Sequence, residues 1–459
     1  MNRLSLAHLP VAPAVDPMSL SIGVVHLGLG AFHRAHQAVI TERAAALTGD
    51  TRWGISGVSQ RSATVREQLE PQDGLYAVLE RGNGDPTIQV VGSIREVLTA
   101  PEAPEAVVAR MADSAVSVVT LTVTEKGYRA KSGGLDLDDP EIQADLTGRP
   151  PRTVVGQLAA ALARRDSPLT IVSCDNLVAN GPFLRRLVAE YFEALGKVPE
   201  VFEASRFPAS MVDRIVPATT EADRDEAARL LGVRDEAVVV AEPFLQWVIE
   251  DDFAGPRPAW EQGGAVLTAD VAPWEQAKLR ILNATHSMLA YLGALRGYET
   301  IAEAVRDKEL AAFAHTLITD DVIPTLTPPD GLNLASYGGT VLDRFANPAL
   351  KHRTAQVAMD GSVKLPVRLL GTVEDRLTVG AEPRTLALAV AAWMVYVNTA
   401  ANLDDPQAAL LTAALDGADT PAAIVDSLLA IDAIFTPSLQ NSAPFRDLLV
   451  EQVTALRRR

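Results

Sequence analysis

The sequence predicts an α/β N-terminal domain over residues 1–270 and an all-α C-terminal domain over residues 271–459. In the first part, short β-rich apolar runs alternate with helical stretches, which is typical of βαβ units and a mostly parallel sheet. The first of these runs ends in the glycine turn Gly28-Leu-Gly30. From about residue 273, long segments with helical apolar periodicity follow one another with few strand signals between them. This change of pattern places the domain boundary near residue 270.

The individual elements follow from the period of the apolar residues and from the flanking glycines and prolines. Residues 1–20 form a proline-punctuated arm. Strands are predicted over 22–27, 53–58, 88–91, 117–123 and 169–174, with helices over 31–47, 104–111 and 154–164. In the second half, helices are predicted over 274–295, 299–318, 382–401, 406–415 and 421–432.

The bulk composition limits the class of protein. The chain has 459 residues, of which 48% are hydrophobic and 22% charged, as in ordinary globular proteins of two or three domains. The formal net charge of −17 argues against a nucleic-acid partner, because phosphates require a basic surface. A single cysteine, Cys174, excludes an internal disulfide and fits a reducing compartment.

The apolar runs indicate a cytoplasmic chain that does not enter a membrane. A bilayer span needs about 18 apolar residues, and the best run, 386–397, is shorter. Pro10, Pro13 and Pro17 interrupt the N-terminal region, where a signal peptide would be continuously apolar. The oligomeric state does not follow from the sequence.

The segment around Gly28 and Gly30 has the order of a dinucleotide site: a strand, a tight turn and a helix start. Gly28 allows the turn, and Gly30 lets a pyrophosphate approach the backbone. Ala31 and Phe32 open the helix, whose N–H groups and dipole favour phosphate. His33 stands where the third glycine of the G-x-G-x-x-G pattern is expected. We therefore predict a dinucleotide-binding site at this turn; the alternative is a plain strand–turn–helix connection without a ligand.

Selection between NAD and NADP stays open at this stage. A carboxylate at the end of the second strand normally holds the adenosine ribose. Asp50 has about the right spacing but precedes that strand, and the residues after it, 59–64, contain no carboxylate. Arg61 is a candidate for stacking on adenine or meeting a phosphate; the alternative is a solvated arginine.

Four polar residues of different chemistry are predicted to share one helical face. At about 100° per residue, Lys278, His286 and Asn283 project at about 0°, 80° and 140°, with Glu275 at about 60°. A solvated helix surface rarely combines an amine, an imidazole, an amide and a carboxylate in this way. We call these four residues the polar face and predict that it lines an active site, in the cleft where domains meet.

The polar face suits hydride transfer from an alcohol carbon to a nicotinamide. Such a reaction needs a base for the hydroxyl proton and donors for the developing alkoxide. Lys278 can act as the base if burial lowers its pKa. Asn176, at the carboxyl end of the strand 169–174, and Asn283 would hold the oxygen, while His286 would meet a neighbouring hydroxyl. Asp175 and Asn180-Gly181 fit an ordinary Asx-capped turn.

The sequence fits other classes of dehydrogenase less well. None of the seven tyrosines is followed by a lysine four positions later, so the Tyr-x-x-x-Lys pair of short-chain dehydrogenases is absent. One cysteine cannot build the zinc sites of medium-chain alcohol dehydrogenases. His33 and His36 have no nearby Cys, Asp or Glu to complete a metal site, and we expect no metal. Taken singly, Lys278 and His286 also fit a surface lysine and a core histidine.

Several motifs resemble the mannitol dehydrogenase family of polyol-specific long-chain dehydrogenases, which includes arabinitol dehydrogenases and fructuronate reductases. These motifs span nearly the whole chain: His26-Leu-Gly-Leu-Gly-Ala-Phe-His-Arg-Ala-His-Gln37, Thr122-Val-Thr-Glu-Lys-Gly-Tyr128, Ser173-Cys-Asp-Asn176, Met211-Val-Asp-Arg-Ile-Val-Pro217, Glu242-Pro-Phe-Leu-Gln-Trp247, Lys278-Leu-Arg-Ile-Leu-Asn-Ala-Thr-His286 and Asp360-Gly-Ser-Val-Lys-Leu-Pro366. The resemblance implies a Rossmann-type N-terminal domain, a helical C-terminal domain and reversible, metal-independent oxidation of a secondary alcohol, with NAD as the expected cofactor.

The resemblance also implies residue roles. It assigns the general base to Lys278 and the oxyanion amides to Asn176 and Asn283. The substrate contacts it implies are His286, Asp213 and Lys364, and the groups that exchange the proton with solvent are Glu125 and Glu275. Many NAD-preferring members keep an acidic residue after the Arg-Ser pair, whereas this chain has Ala63 and Thr64, so NADP is not excluded.

The expected substrate is a small polyol, mannitol- or arabinitol-like, and its ketose. The alternative is a sugar acid, in a mannonate and fructuronate oxidoreductase, because the segment 356–364 resembles that branch at least as much. Lys364, Arg368 and Lys126 are available as counter-charges for its carboxylate. A further alternative is a catalytically silent nucleotide-binding sensor, against which the intact Lys278 argues.

Overall fold

The structure is a computed structural model that describes residues 1–82, 84–400 and 402–458. By contact density the chain divides into two compact units, Met1–Ala272 and Pro273–Arg459. Among the helices of the described ranges, none combines the length and apolarity that a membrane span requires.

Thirteen strands are described, all in the first unit. They are β1 (Ile22–Leu27), β2 (Gly54–Ser59), β3 (Tyr76–Glu80), β4 (Thr87–Val91), β5 (Ile94–Thr99), β6 (Val118–Leu121), β7 (Ala130–Lys131), β8 (Gly134–Leu135), β9 (Thr170–Ser173), β10 (Ser210–Asp213), β11 (Val239–Ala241), β12 (Gln246–Glu250) and β13 (Val266–Thr268).

A five-stranded parallel sheet with the order β5-β2-β1-β6-β9 forms the centre of the first unit. Four of its strands, β1, β2, β6 and β9, are buried almost throughout because apolar clusters cover the sheet on both faces. The order places β1 beside β6 and β6 beside β9, so the carboxyl ends of these three strands are neighbours. The residues that follow them lie along one edge, where open α/β sheets bind ligands.

Two parts of the strand prediction need correction. The predicted strand 88–91 exists as β4, but it pairs antiparallel with β3 in a separate three-stranded sheet with β11. The fifth strand of the parallel sheet is β5, which the sequence did not reveal because only two of its six residues are fully buried. A second three-stranded sheet joins β10, β12 and β13, and β7 pairs with β8 in a two-stranded sheet.

The helices of the first unit cover the parallel sheet and connect its strands. The α-helices are Ala31–Ala35, Gln37–Thr48, Thr64–Leu69, Pro104–Ala112, Pro140–Leu146, Val154–Leu162, Asn180–Ala194, Glu200–Ala204, Glu221–Leu231 and Trp260–Gly263, with 3₁₀ turns at Pro17–Ser19, Thr51–Trp53, Glu70–Gln72 and Glu125–Tyr128. The predicted helix 31–47 is interrupted at His36, which leaves helical geometry (φ −125°, ψ −91°). Its buried Nε2 donates to the Gln246 carbonyl at 2.9 Å.

The second unit is helical in the part that the structure describes. Its α-helices are Ala272–Ala277, Ala284–Leu295, Ile301–Arg306, Lys308–Thr316, Leu334–Phe345, Thr354–Ala358, Gly361–Leu365, Gly371–Thr378, Arg384–Thr399, Ala408–Ala414, Pro421–Leu429, Pro437–Gln440 and Ala443–Arg457, with 3₁₀ turns at Ile323–Thr325 and Pro348–Leu350. Three segments are π-helical: Lys278–Asn283, Leu317–Val322 and Pro366–Leu370.

The helix predictions of this half are right in type and approximate in extent. The predicted helix 299–318 is two helices, because Asp307 leaves the first and caps the second through the N–H groups of Glu309 and Leu310. The predicted helix 382–401 is found as Arg384–Thr399, and Ala401 lies outside the described residues.

Candidate active site

Gly28 forms the tight turn at the carboxyl end of β1. Its φ is +100°, and a Cβ added there would lie 2.1 Å from the Thr122 carbonyl oxygen, so no other residue fits. The Gly28 and Leu29 N–H groups both donate to the Val58 carbonyl at 2.9 Å. The turn is thereby tied to the neighbouring strand β2.

Gly30, unlike Gly28, has free space at the position that a Cβ would occupy. A Cβ added at Gly30 would have the Gly28 carbonyl oxygen, at 3.7 Å, as its nearest described neighbour, so a side chain there would fill free space above the turn. Gly30 caps the helix Ala31–Ala35, and Ala31 and Phe32 are partly exposed at its start. This cradle fits a phosphate group, as the sequence predicted for a dinucleotide.

A buried histidine supports this turn from below. Nδ1 of His26 lies 2.7 Å from the Thr120 hydroxyl and Nε2 lies 2.8 Å from that of Thr122, whose own hydroxyl donates to the Gly28 carbonyl at 2.9 Å. Burial lowers the pKa of His26 to about 3, so the ring is neutral at physiological pH. The His33 ring stacks on it with 3.4 Å between centroids, and His33 therefore fills the place of the third glycine as a packing residue.

Residues 59–64, at the carboxyl end of β2 where the adenosine end of the cofactor is predicted, include no carboxylate. Asp50 lies at the opposite, amino end of β2, where its carboxylate accepts from the Arg52 guanidinium and the Trp53 indole at 2.8–2.9 Å. It is therefore not the ribose ligand. Arg61 is exposed just after the carboxyl end of β2.

Glu125 and Asn176 follow neighbouring strands at the carboxyl edge of the sheet. Glu125 begins the 3₁₀ turn after β6, Asn176 follows β9, and both are exposed. The prediction that Asp175 caps its own turn is wrong, since its carboxylate instead accepts from the Val123 and Thr124 N–H groups, each at 2.9 Å. Asp213 ends β10 and is buried.

The polar face lies on a helix that changes type in the middle. The prediction of a regular α-helix through Lys278 and Asn283 is wrong, because Lys278–Asn283 is a π-helical segment between two α-helices. The Ala284 N–H donates to the Leu279 carbonyl, five residues back. Widened turns of this kind frequently occur at functional sites.

All four residues of the polar face are buried yet reachable. Glu275, Lys278 and His286 each keep 8% of their surface exposed and Asn283 keeps 7%. Glu275 and Lys278 are three residues apart, as are Asn283 and His286, a spacing that places helical neighbours side by side. A surface lysine and a solvated face are therefore excluded for this segment.

His286 is buried between two aromatic rings and within electrostatic reach of several basic side chains. Its ring stacks on Phe345 at 4.6 Å and meets the His352 ring edge-on at 4.7 Å. Burial, and then the charges of His352, Arg368, Arg344 and Lys364, lower its pKa well below the ordinary value, so the imidazole is neutral. Within the described residues, its buried Nε2 has no hydrogen-bond partner.

Lys364 and Arg368 form a cationic pair one helical turn apart. The Lys364 ammonium donates to the Met359 carbonyl at 2.5 Å and lies 3.5 Å from an Asp360 carboxylate oxygen. The Arg368 guanidinium donates to the Ser287 hydroxyl at 3.0 Å, and no carboxylate of the described residues pairs with it. Burial lowers the pKa of both groups.

Within each unit, the structure brings several predicted residues together. Glu125 and Asn176 lie at one sheet edge with Gly28, and Lys364 lies within electrostatic reach of His286. That Asn176 faces Lys278 stays a prediction. Phe345, His352 and Arg344 were not found from the sequence, because each is a single residue on a separate segment without a motif. Among the described residues, no group of three or more His, Cys, Asp or Glu has metal-binding geometry.

A glycine cradle on a parallel sheet and a buried Lys, Asn and His on one helix are together typical of a nucleotide-dependent alcohol oxidoreductase. Comparison with known proteins agrees. Residues 22–262 match the family model described as the mannitol dehydrogenase Rossmann domain, and residues 270–457 match the mannitol dehydrogenase C-terminal domain. The chain belongs to the mannitol dehydrogenase family.

Individual relatives cover nearly the whole chain. The D-mannonate oxidoreductase of Escherichia coli K12 is 42% identical over 97% of this chain and 95% of its own length. The mannitol 2-dehydrogenase of Pseudomonas fluorescens, solved in ternary complex with NAD and D-mannitol, is 34% identical and superposes with a TM-score of 0.84 over 99% of this chain and 97% of that one. A substrate-free D-sorbitol dehydrogenase is 32% identical, covers 100% of this chain and 98% of its own, and has a TM-score of 0.91.

These matches confirm the predicted family and the combination of a Rossmann-type domain with a helical C-terminal region. They also confirm the predicted enzyme class, an oxidoreductase that acts on a secondary CH–OH group.

Proposed function

We propose that this enzyme uses NAD to oxidise reversibly a secondary hydroxyl of a six-carbon sugar acid, interconverting a mannonate-like acid and its keto acid. The observation that carries this choice over a neutral polyol is the Arg368 guanidinium, half-buried beside the polar face without a carboxylate partner in the described chain. Burying an unpaired charge is costly, which favours an anionic ligand.

The polar face supplies the proton chemistry of this proposal. The Lys278 amine, in its neutral form, takes the proton of the reacting hydroxyl, and the Asn283 amide donates to the oxygen as negative charge develops. Asn176 is assigned the second amide donor. Glu275 and Glu125 pass the proton between Lys278 and water.

His286 positions a hydroxyl next to the reacting carbon. Because its imidazole is neutral and its Nε2 has no partner within the described residues, it is able to bind a substrate hydroxyl without a change of charge. The edge contact with His352 and the stack on Phe345 fix the ring in place. Asp213 is assigned a further substrate contact.

The first unit fits NAD. The Gly30 cradle and the N–H groups of Ala31 and Phe32 would hold the pyrophosphate, and Arg61 would lie at the adenosine end. When bound, NAD would supply the hydride acceptor for the alcohol carbon and, as NADH, the hydride donor for the reverse reaction. The P. fluorescens relative binds NAD, which supports the same cofactor here.

The substrate carboxylate is assigned to Arg368 and Lys364. Arg368 offers planar N–H donors that match a carboxylate, and both residues stand within electrostatic reach of His286. On carboxylate binding, Lys364 would exchange its Met359 carbonyl contact for the ligand. The E. coli relative named D-mannonate oxidoreductase supports an acidic substrate.

The test compares kcat/KM of the wild type and Arg368→Gln for fructuronate and fructose, with NADH. We expect the wild type to prefer fructuronate. The variant should lose about 10²-fold on fructuronate, the size expected for removing one partner of a buried charge pair, and change little on fructose. Arg384→Gln is the matched control, because this exposed arginine begins another helix of the same unit and pairs with the nearby Glu382. An equal loss on both ketoses would contradict the carboxylate assignment.

A polyol such as mannitol or arabinitol is the second candidate. It is favoured by the similarity to the mannitol 2-dehydrogenase structure and by the fact that Lys278, Asn283 and His286 all address hydroxyl groups. A wild type that reduces fructose faster than fructuronate, with Arg368→Gln unchanged on both, would establish it. No turnover on any polyol, ketose or hexuronate would favour the nucleotide-binding sensor.

A further inference from the structure

The carboxylate of Asp175 joins two loops at the carboxyl edge of the parallel sheet. It accepts hydrogen bonds from the N–H groups of Val123 and Thr124, each at 2.9 Å, and from the Tyr128 hydroxyl at 2.7 Å. All three donors belong to the loop after β6, whereas Asp175 itself belongs to the loop after β9. Asp175 is buried, so these bonds are shielded from water.

The loop that Asp175 holds contains a strained backbone conformation at Thr124. Thr124 has φ +67°, a left-handed conformation that β-branched residues rarely adopt. Strained residues persist where their surroundings fix them, and they cluster at functional sites. The Asp175 carboxylate binds the Thr124 N–H directly, and the next residue in the chain is Glu125.

The backbone of Asp175 is also anchored, by a hydrogen bond from the helix that follows. The Asn180 amide donates to the Asp175 carbonyl at 3.0 Å, so the Asn176 peptide lies between two fixed points. Asn180 also exchanges two hydrogen bonds with the backbone of Ser210, at 2.8 and 2.9 Å. Ser210 begins β10, the strand that ends in Asp213.

A glycine permits this close approach. A Cβ added at Gly181 would lie 2.2 Å from the Phe207 carbonyl oxygen, so the helix that begins at Asn180 contacts the segment before β10 backbone to backbone. Asp175, Asn180 and Gly181 therefore connect the loop of Glu125, the loop of Asn176 and the start of β10, the strand that ends in Asp213.

We propose that Asp175 is a positioning residue, whose carboxylate sets the loop carrying Glu125 relative to Asn176, with Asn180 extending the connection to the strand of Asp213. Asp175 acts through these residues and does not touch the substrate. The proposal rests on the proposed function for the roles of Glu125 and Asn176, but the hydrogen-bonded connection itself does not.

The central test is Asp175→Asn in the full-length enzyme. The amide presents N–H groups where the native carboxylate only accepts, so at least one of the three bonds is lost. We expect kcat to fall about 10²-fold, as for a small misplacement of reacting groups. We expect the affinity for NADH to stay within about twofold, because the Gly28 turn is bonded to β2 and Thr122 rather than to Asp175.

Asp235→Asn is the matched control. Asp235 is also buried in the first unit and also accepts three hydrogen bonds, from the Gln72 amide and the Ala77 and Ala237 N–H groups at 2.7–2.8 Å, but it holds none of the proposed site residues. Both variants should lower Tm, and only Asp175→Asn should lower kcat at a temperature where both are folded.

Two further readouts separate positioning from simple destabilisation. In an Asn176→Ala background, Asp175→Asn should lower kcat by a smaller factor than in the wild type, because the part of its effect that acts through Asn176 is already lost and only the part through Glu125 remains. Hydrogen exchange followed by mass spectrometry should accelerate over residues 123–128 and 176–180 in Asp175→Asn and not in Asp235→Asn. If Asp175→Asn does not fold, Tyr128→Phe, which removes one of the three bonds, is measured by the same three criteria.

Unchanged kcat in the folded variant, full additivity with Asn176→Ala, or unchanged exchange in both loops would each overturn the proposal. A wild type without activity on any secondary alcohol would instead defeat the proposed function, while the exchange measurement would still decide the positioning role.

Discussion

Lys278 and Asn283 stand at the two ends of a single π-helical segment, five residues apart. In an α-helix this spacing would turn their side chains about 140° away from each other. In a π-helix the hydrogen bond runs between residues five apart, so one turn holds more residues and the two side chains point in more similar directions. The π segment therefore brings the proposed base and the proposed amide donor closer together than the regular helix assumed from the sequence.

Lys278→Ala should lower kcat by several orders of magnitude while leaving NADH affinity nearly unchanged, because the base acts on the substrate hydroxyl alone. Lys278→Arg should be similarly inactive, since a guanidinium keeps its charge and cannot accept the proton. Lys308→Ala removes an exposed lysine of the same unit and should behave as wild type. Pre-steady-state rates and NADH fluorescence titrations would measure both quantities, and near-normal turnover in Lys278→Ala would defeat the general-base assignment.

Asn283→Ala should reduce kcat by about 10²–10³, the usual effect of losing one donor to a developing oxyanion. Substrate KM should change much less, because the amide binds the alkoxide more tightly than the neutral alcohol. Asn176→Ala should show the same pattern. A variant that changes KM and leaves kcat intact would show that the amide contributes to ground-state binding instead.

Gly28 and Gly30 should respond differently to alanine. Gly28→Ala should destabilise the enzyme, because its φ is +100° and the new Cβ would lie 2.1 Å from the Thr122 carbonyl oxygen. Gly30→Ala should leave Tm nearly unchanged, because its Cβ has room, yet weaken NAD binding by occupying the cradle. Thermal unfolding and NADH titration on both variants would test this. Unimpaired NADH binding in Gly30→Ala would place the pyrophosphate elsewhere.

Features that depend on repeated patterns could be predicted from the sequence, whereas features that depend on single contacts could not. Strand 22–27 is apolar apart from His26, and the glycine turn after it predicted the nucleotide site. The π segment was not predictable, because α- and π-helices use the same residue types and differ by one residue per turn. The bonds of Asp175 were missed for another reason. Its partners Val123, Thr124 and Tyr128 lie about fifty positions earlier, and a local Asx turn explained the same residue.

Arg61 should influence the choice of cofactor. It is exposed beyond the carboxyl end of β2, and the residues between 59 and 64 contain no carboxylate to repel a 2′-phosphate. We expect measurable activity with NADPH, and Arg61→Ala should reduce kcat/KM for NADPH more than for NADH. Arg52→Ala, at the other end of the strand and paired with Asp50, is the control. Equal losses with both cofactors would assign Arg61 to adenine stacking.

Glu42 should make the stability of the enzyme depend on pH. Its carboxylate is buried, accepts from the Ala14 N–H at 2.9 Å and the Gly92 N–H at 2.5 Å, and so connects the N-terminal arm to the turn between β4 and β5. Burial raises the pKa of Glu42 from 4.5 to about 7.

The folded state therefore binds a proton more tightly than the unfolded state, and the stability contributed by the protonated group is present below the unfolded pKa and lost as pH rises toward 7. The loss should amount to about 3 kcal/mol in the free energy of unfolding across this window.

Urea unfolding of the wild type and Glu42→Gln between about pH 5 and pH 8 should show the wild type losing stability relative to the variant. Glu67→Gln changes an exposed glutamate, and its free energy of unfolding should follow that of the wild type across this pH range. If the free energies of unfolding of the wild type and Glu42→Gln differ by the same amount at every pH, Glu42 has the same pKa in the folded and unfolded chains.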